Sequence, residues 1–165
     1  MYWQKEFETL NRTELKKLQV SRLKTTIQSA MNSPYYGNLY KQMGLSPDSV
    51  KSVADIQKLP FTTKQNLREN FPYGFLGLPT KELIRLHSTS GTTGNPTVIF
   101  HNRHDIDSWA NLMARSLFCA GVRDTDVFQN ICGYGLFTGG LGFQYGVERL
   151  GCLSIPAGAG NSPRQ

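Results

Sequence analysis

What most constrains the fold of this chain is a change of rhythm at Leu83. Upstream, apolar residues recur at steps of three and four; downstream, short runs of branched residues alternate with helical stretches. In "TELKKLQVSRLKTTIQSAMN", Val20, Leu23, Ile27 and Met31 fall on one side of a helix, with Thr13 as the expected N-cap and Pro34 as the expected stop. A second, shorter helical pattern surrounds Val53 to Gln57. Residues 1–80 therefore read as a small helical unit.

Beyond Leu83, "ELIRLH" and "TVIF" read as two strands joined by the segment between them. "RHDIDSWANLMARSLFCAG" places Ile106, Trp109, Met113 and Leu117 at helical spacing, with His104 or Asp105 near the cap and Gly121 at the end. "DVFQNI" reads as a strand, "TGGLGFQYGVERLG" as a helix ending at Gly151, and "CLSIP" as a strand stopped by Pro156. That order predicts βαβ crossovers and a parallel sheet packed by helices, an α/β class. Residues 81–165 are thus expected to begin a larger α/β domain. So few strands make an incomplete sheet, and truncation is the expectation.

The bulk composition narrows the partners. Of 165 residues, 39% are hydrophobic and 11% aromatic, enough for a packed core. The N-terminus lacks the apolar run of a signal peptide, and no segment approaches the roughly 20 apolar residues of a membrane span, so a cytoplasmic protein is expected. All of the excess positive charge lies in the first half: residues 1–85 hold 13 Lys or Arg against 7 Asp or Glu, and residues 86–165 hold 5 of each. The cations are scattered along amphipathic patterns, as on a solvated face, so no nucleic-acid role is expected. Cys119, Cys132 and Cys152 are widely spaced in apolar surroundings and read as buried, reduced thiols. His101 and His104 stand three apart, but nothing nearby completes a metal-ligand set.

The connection between the first two strands, "HSTSGTTGNPT" from His87 to Thr97, carries more chemistry than a turn requires. Gly91 and Gly94 allow unusual backbone angles and close approach, while Ser88, Thr89, Ser90, Thr92 and Thr93 put hydroxyls beside the backbone N–H groups. Such a loop suits a polyphosphate. It does not match GxxxxGK[ST], since no Lys-Ser or Lys-Thr follows Gly94 at the required place. On composition alone, an anion cradle and a mobile turn both remain open.

"STSGTTGNPT" resembles the phosphate-binding loop of adenylate-forming ligases. With "LPFTTKQNLRENFPYG" upstream and "DIDSWANLMARSLFCAGV" and "GYGLFTGGLGFQYGVERLGC" downstream, the likeness is to the phenylacetate-coenzyme A ligase family, from about Leu18 to the last residue. The resemblance implies a small N-terminal helical unit followed by the first part of a large adenylating α/β domain. It implies that an aryl carboxylic acid attacks the α-phosphorus of ATP, with Mg2+, to give an acyl-adenylate and pyrophosphate, after which coenzyme A displaces AMP. By position, Ser88, Thr89, Ser90, Gly91, Thr92, Thr93 and Gly94 are similar to the family's ATP phosphate cradle, and Lys64 to a lysine that approaches the nucleotide and substrate region.

Tyr134, Gly135, Phe137 and Gly139 resemble the wall of the aryl-acid pocket. Two departures stand out: Asn95 replaces the lysine common before the proline, and Cys132 stands where the family often has the first tyrosine of Tyr-Gly-Tyr-Gly. The second predicts a roomier pocket and a bulkier acid. The family's later adenine-binding and metal-coordinating motifs would follow Gln165, so this chain alone is expected to lack the complete active site. The competing reading is a truncated, non-catalytic homologue acting as a binding or homodimerisation module through the basic helical unit.

Overall fold

Asn11, not Thr13, caps the first long helix. A computed structural model describes residues 1–89, 96–136, 138–160 and 162–164. After a single turn, α1 (Lys5–Glu8), the helix α2 runs Arg12–Ala30, and the Asn11 side chain accepts from the N–H groups of Thr13 and Glu14. An extended Asn two residues upstream satisfies the first-turn donors as well as a Thr would. α2 ends at Ala30, ahead of Pro34; Pro34 has a second part to play. It opens α3 (Pro34–Gln42) behind the cap Ser33, because the fixed φ of proline and its missing N–H suit a first helical turn.

Short 3-10 turns follow at Pro47–Ser49 and Val53–Lys58, then α4 (Lys64–Glu69), whose cap Thr63 exchanges hydrogen bonds with Asn66. Ile27, Tyr40 and Val50 form the buried centre of this unit, with Val20, Leu23, Met31 and Leu59 packed against it, so the predicted apolar stripe of α2 is the stripe that is covered.

Beyond it, β1 (Leu83–Ser88) and β2 (Val98–Asn102) pair antiparallel, with Leu86 opposite Phe100 and His87 opposite Ile99. Helix α5 (Arg103–Cys119) is capped by Asn102, whose side chain accepts from the Asp105 N–H while Asp105 accepts from the Asn102 N–H. Asp105, expected near the cap, is therefore the third helical residue of a capping box. β3 (Val127–Gln129), α6 (Gly139–Leu150) and β4 (Leu153–Ile155) make one βαβ unit, with β3 and β4 parallel. Gly151, at φ 93°, ends α6.

The expectation of one parallel sheet needs correction: among the described residues there are two two-stranded sheets, and only β3–α6–β4 is a parallel crossover. The antiparallel return of β2 onto β1 takes that pair out of the parallel series. The cysteines also differ, since Cys119 is exposed, Cys132 half-buried and only Cys152 buried.

Two compact units result: one built mainly from Tyr2–Thr80, and one built mainly from β1 and the residues from Val98 on. In the second, α5 and α6 pack closely, with Gly142 against Trp109 and Gly146 against Met113 and Ala114, while Ala110, Leu117 and Val147 are buried. No described helix is long and apolar enough to cross a membrane.

Candidate functional site

Strand β1 carries its polar residues on the covered face: Ile84 and Leu86 are exposed, whereas His87 is only 3% exposed; Ile99, paired with His87 across the ribbon, is exposed. The His87 ring meets His101 edge-on at 5.3 Å and Trp109 at 5.5 Å, and His101 stacks on Trp109 at 5.8 Å. Arg85, across the ribbon from His101, sets its guanidinium 5.0 Å over the Tyr145 ring. Arg85 Nη1, His87 Nε2 and His101 Nε2 are buried with no hydrogen-bond partner among the described residues. Burial, then His87, pushes the His101 imidazole below its ordinary value; Asp105 opposes this and Arg85 adds to it.

The other ring nitrogen of His87 has a partner. Its Nδ1 lies 2.8 Å from the Leu136 carbonyl oxygen, and the Ser88 N–H donates to that same oxygen at 3.2 Å. A carbonyl only accepts, so Nδ1 carries the hydrogen. The first residue of the hydroxyl-rich segment is thereby tied to the glycine-rich segment that leads into α6.

That second segment is itself held at Asn130, 1% exposed just after β3. The Asn130 Nδ2 donates to the Gly140 carbonyl at 2.8 Å and to the Tyr134 hydroxyl at 2.9 Å, while Oδ1 accepts from the Cys132 N–H at 3.1 Å. Tyr134 passes its own hydrogen to Gln144 Oε1 at 2.9 Å, where Ser154 Oγ also donates at 3.0 Å; the Gln144 amide donates to Glu148. Burial pushes the Tyr134 hydroxyl above the ordinary tyrosine value, against the lowering effect of the Asn130 bond. Gly140 is required by approach, since a Cβ there would stand 2.4 Å from the Gly133 carbonyl oxygen.

The residues expected from sequence fare unevenly. Cys132 and Tyr134 are half-buried and lie in the Asn130 network. Gly135 is exposed, with no described atom near where its Cβ would be, and Gly139 is the first residue of α6. Ser88 ends β1, and Thr89 follows it. Ser90, Gly91, Thr92, Thr93, Gly94 and Phe137 lie outside the described residues.

Lys64, in the other unit, is the exposed first residue of α4. A groove of about 800 Å³ in that unit is lined by Lys16, Lys17, Lys24 and Lys51 over Val20 and Val53, and contains none of the candidate residues. No sequence pattern assigns a role to His87 or Asn130. His87 opened the conspicuous stretch, and Asn130 is a lone amide between a strand and a glycine-rich run; only their contacts reveal them.

No protein-family model matches the chain. Curated proteins do. A phenylacetate-coenzyme A ligase of Escherichia coli (strain K12) is 45% identical over 159 residues, covering 96% of this chain and 36% of the relative. One from Aromatoleum evansii is 44% identical over 159 residues, with the same shares, and one from Thermus thermophilus 40% over 166 residues, 100% of this chain and 37% of the relative.

Among solved structures, a 2-hydroxyisobutyryl-CoA ligase in the postadenylation state with 2-HIB-AMP superposes with TM-score 0.86 at 31% identity, over 96% of this chain and 34% of that one. The same ligase with 2-HIB-AMP and CoA, in the thioesterification state, gives TM-score 0.83 at 33% identity, over 92% and 33%. The chain thus spans about a third of the length of the relatives it matches. Over the residues it spans, it belongs to the phenylacetate-coenzyme A ligase family of adenylate-forming ligases.

Proposed function

We propose that the full-length protein activates an aryl carboxylic acid as its acyl-adenylate, using ATP, and transfers the acyl group to coenzyme A. A carboxylate is a poor acylating agent because its leaving group would be oxide; adenylation turns that oxygen into part of a phosphate monoester, a competent leaving group. Negative charge developing on the phosphates must be met by donors already in position. The observation that carries this reading is the shared Leu136 carbonyl. It ties the start of the Ser/Thr/Gly segment, at His87 and Ser88, to the segment bearing Cys132, Tyr134 and Gly135, which supports reading the two segments as parts of one site.

In this reading Ser88 to Gly94 cradle the triphosphate, and the exposed Lys64 keeps the catalytic role that the family resemblance implies for it. Tyr134, whose hydroxyl is already engaged by Asn130 and Gln144, offers the substrate an apolar ring. Mg2+ is proposed from the charge of the triphosphate alone, because no group of three His, Cys, Asp or Glu among the described residues could hold a metal ion. Work in the cytoplasm fits the supply of ATP and coenzyme A.

Acid-dependent pyrophosphate release by the full-length protein tests the proposal. Gly91→Val, which puts branched carbon where backbone must approach phosphate, should raise KM for ATP about tenfold or more with little change for the acid. Failure of every aryl acid to support pyrophosphate release would refute the reading, and normal ATP kinetics in Gly91→Val would remove the cradle assignment.

A further inference from the structure

The ring of His87 is buried for one visible bond. It is 3% exposed, its Nε2 has no partner among the described residues, and its Nδ1–H donates to Leu136 O at 2.8 Å. Leu136 lies 49 residues away in sequence, within the run that carries Cys132, Tyr134 and Gly135. The neighbouring Ser88 N–H uses the same acceptor at 3.2 Å, so the Leu136 carbonyl is fixed by two donors on adjacent residues. A backbone N–H alone sets a distance. The added ring donor, held edge-on between His101 and Trp109, also fixes the direction of approach.

We propose that His87 is a positioning residue for acid activation: by clamping the Leu136 carbonyl it sets the acid-pocket segment against the start of the phosphate-binding segment, so that carboxylate and α-phosphorus meet in reactive alignment. This rests on the ligase reading above. Its consequence is kinetic, because a displacement of an ångström between two reactants lowers turnover more than it lowers binding.

Two variants of the full-length protein separate clamping from filling. His87→Phe keeps an aromatic ring against Trp109 and removes the donor. His87→Asn keeps an amide N–H where Nδ1 stands and removes the ring. If His87 positions the site, His87→Phe lowers kcat for acid-dependent pyrophosphate release about tenfold or more, with KM for ATP within about threefold, while His87→Asn loses less than about threefold in kcat. The unfolding midpoints should rank the other way, with His87→Phe the more stable.

A ligand-free arm follows amide hydrogen exchange at Ser88 and Cys132, which should quicken in His87→Phe and stay near wild type in His87→Asn. Turnover that simply follows the unfolding midpoints, or unchanged exchange in His87→Phe, overturns the proposal. If wild type releases no pyrophosphate with any aryl acid, the ligase reading fails, and the exchange arm alone then decides whether His87 holds the segment.

Discussion

Gly142 on α6 faces the Trp109 indole so closely that a Cβ at position 142 would stand 2.8 Å from the ring. Gly146, one turn on, has the same relation to Met113, whose Cβ would be 2.7 Å away, with Met113 backbone at 3.1 Å. The two glycines let the helices approach at close range, and the indole that occupies the space is the one against which His87 and His101 pack.

At an exposed helix site, Gly→Ala stabilises by about 1 kcal/mol. Here the sign should reverse. Gly142→Ala and Gly146→Ala are each expected to destabilise by about 1–3 kcal/mol through overpacking. Gly146→Ala should cost more, because it presses on backbone as well as side chain. Urea unfolding midpoints check both, and a gain from either substitution would contradict the close-packed interface.

Asn130→Asp should be tolerated in acid and poorly tolerated above neutrality. The Asn130 amide donates to Gly140 O and to Tyr134 Oη; a carboxylate cannot, and stranding the Gly140 carbonyl costs about 1–3 kcal/mol. Protonating the introduced carboxyl restores one donor. Burial raises the pKa of that carboxyl above its unfolded value, so its stabilising contribution is present at low pH and lost as pH rises through the folded value. Chemical denaturation at pH 5 and pH 8 should show the larger deficit at pH 8.

His101 gives the wild-type protein a pH dependence of the opposite sense. Its folded pKa lies below the ordinary 6.5, chiefly through burial and then His87. The unfolded chain therefore takes up the proton first: stability from this group is complete above pH 6.5, falls as pH drops below it, and levels off beneath the folded pKa. His101→Phe keeps a ring stacked on Trp109 and should flatten that part of the stability profile. An unchanged slope would mean that other groups produce it.

Much of this was readable in advance, and the failures have physical causes. The covered stripe of α2, the flanking strands of the Ser/Thr/Gly segment and the ends of α5 and α6 follow from local periodicity and glycine termini, which act within a few residues. Asn11 displaced Thr13 as cap because either side chain can serve and only backbone geometry decides. On β1 it is Arg85 and His87, not Ile84 and Leu86, that face the covered side, because alternation separates the two faces without saying which is buried. His87 and Asn130 are not legible in the sequence because each acts through a fold-dependent contact: His87 on a residue 49 positions away, Asn130 on one 10 positions away across the start of α6.

The last prediction concerns Cys132, half-buried with its N–H held by Asn130 Oδ1. That bond fixes the backbone and leaves the side chain free to be exchanged without disturbing the Asn130 hub. If the thiol lines the acid pocket, as the family resemblance implies, a tyrosine there would fill volume that a bulkier acid now takes. Apolar surface of that size is worth about 1–3 kcal/mol, roughly tenfold to a hundredfold in preference. The wild-type full-length protein should then favour indoleacetate or substituted phenylacetates over phenylacetate, and Cys132→Tyr should invert the order in kcat/KM measured by pyrophosphate release. Because Asn130 still binds the residue-132 N–H in the variant, the unfolding midpoint should move little, which separates a change of pocket from a damaged fold. Identical ranking of the acids by both proteins would place Cys132 outside the pocket.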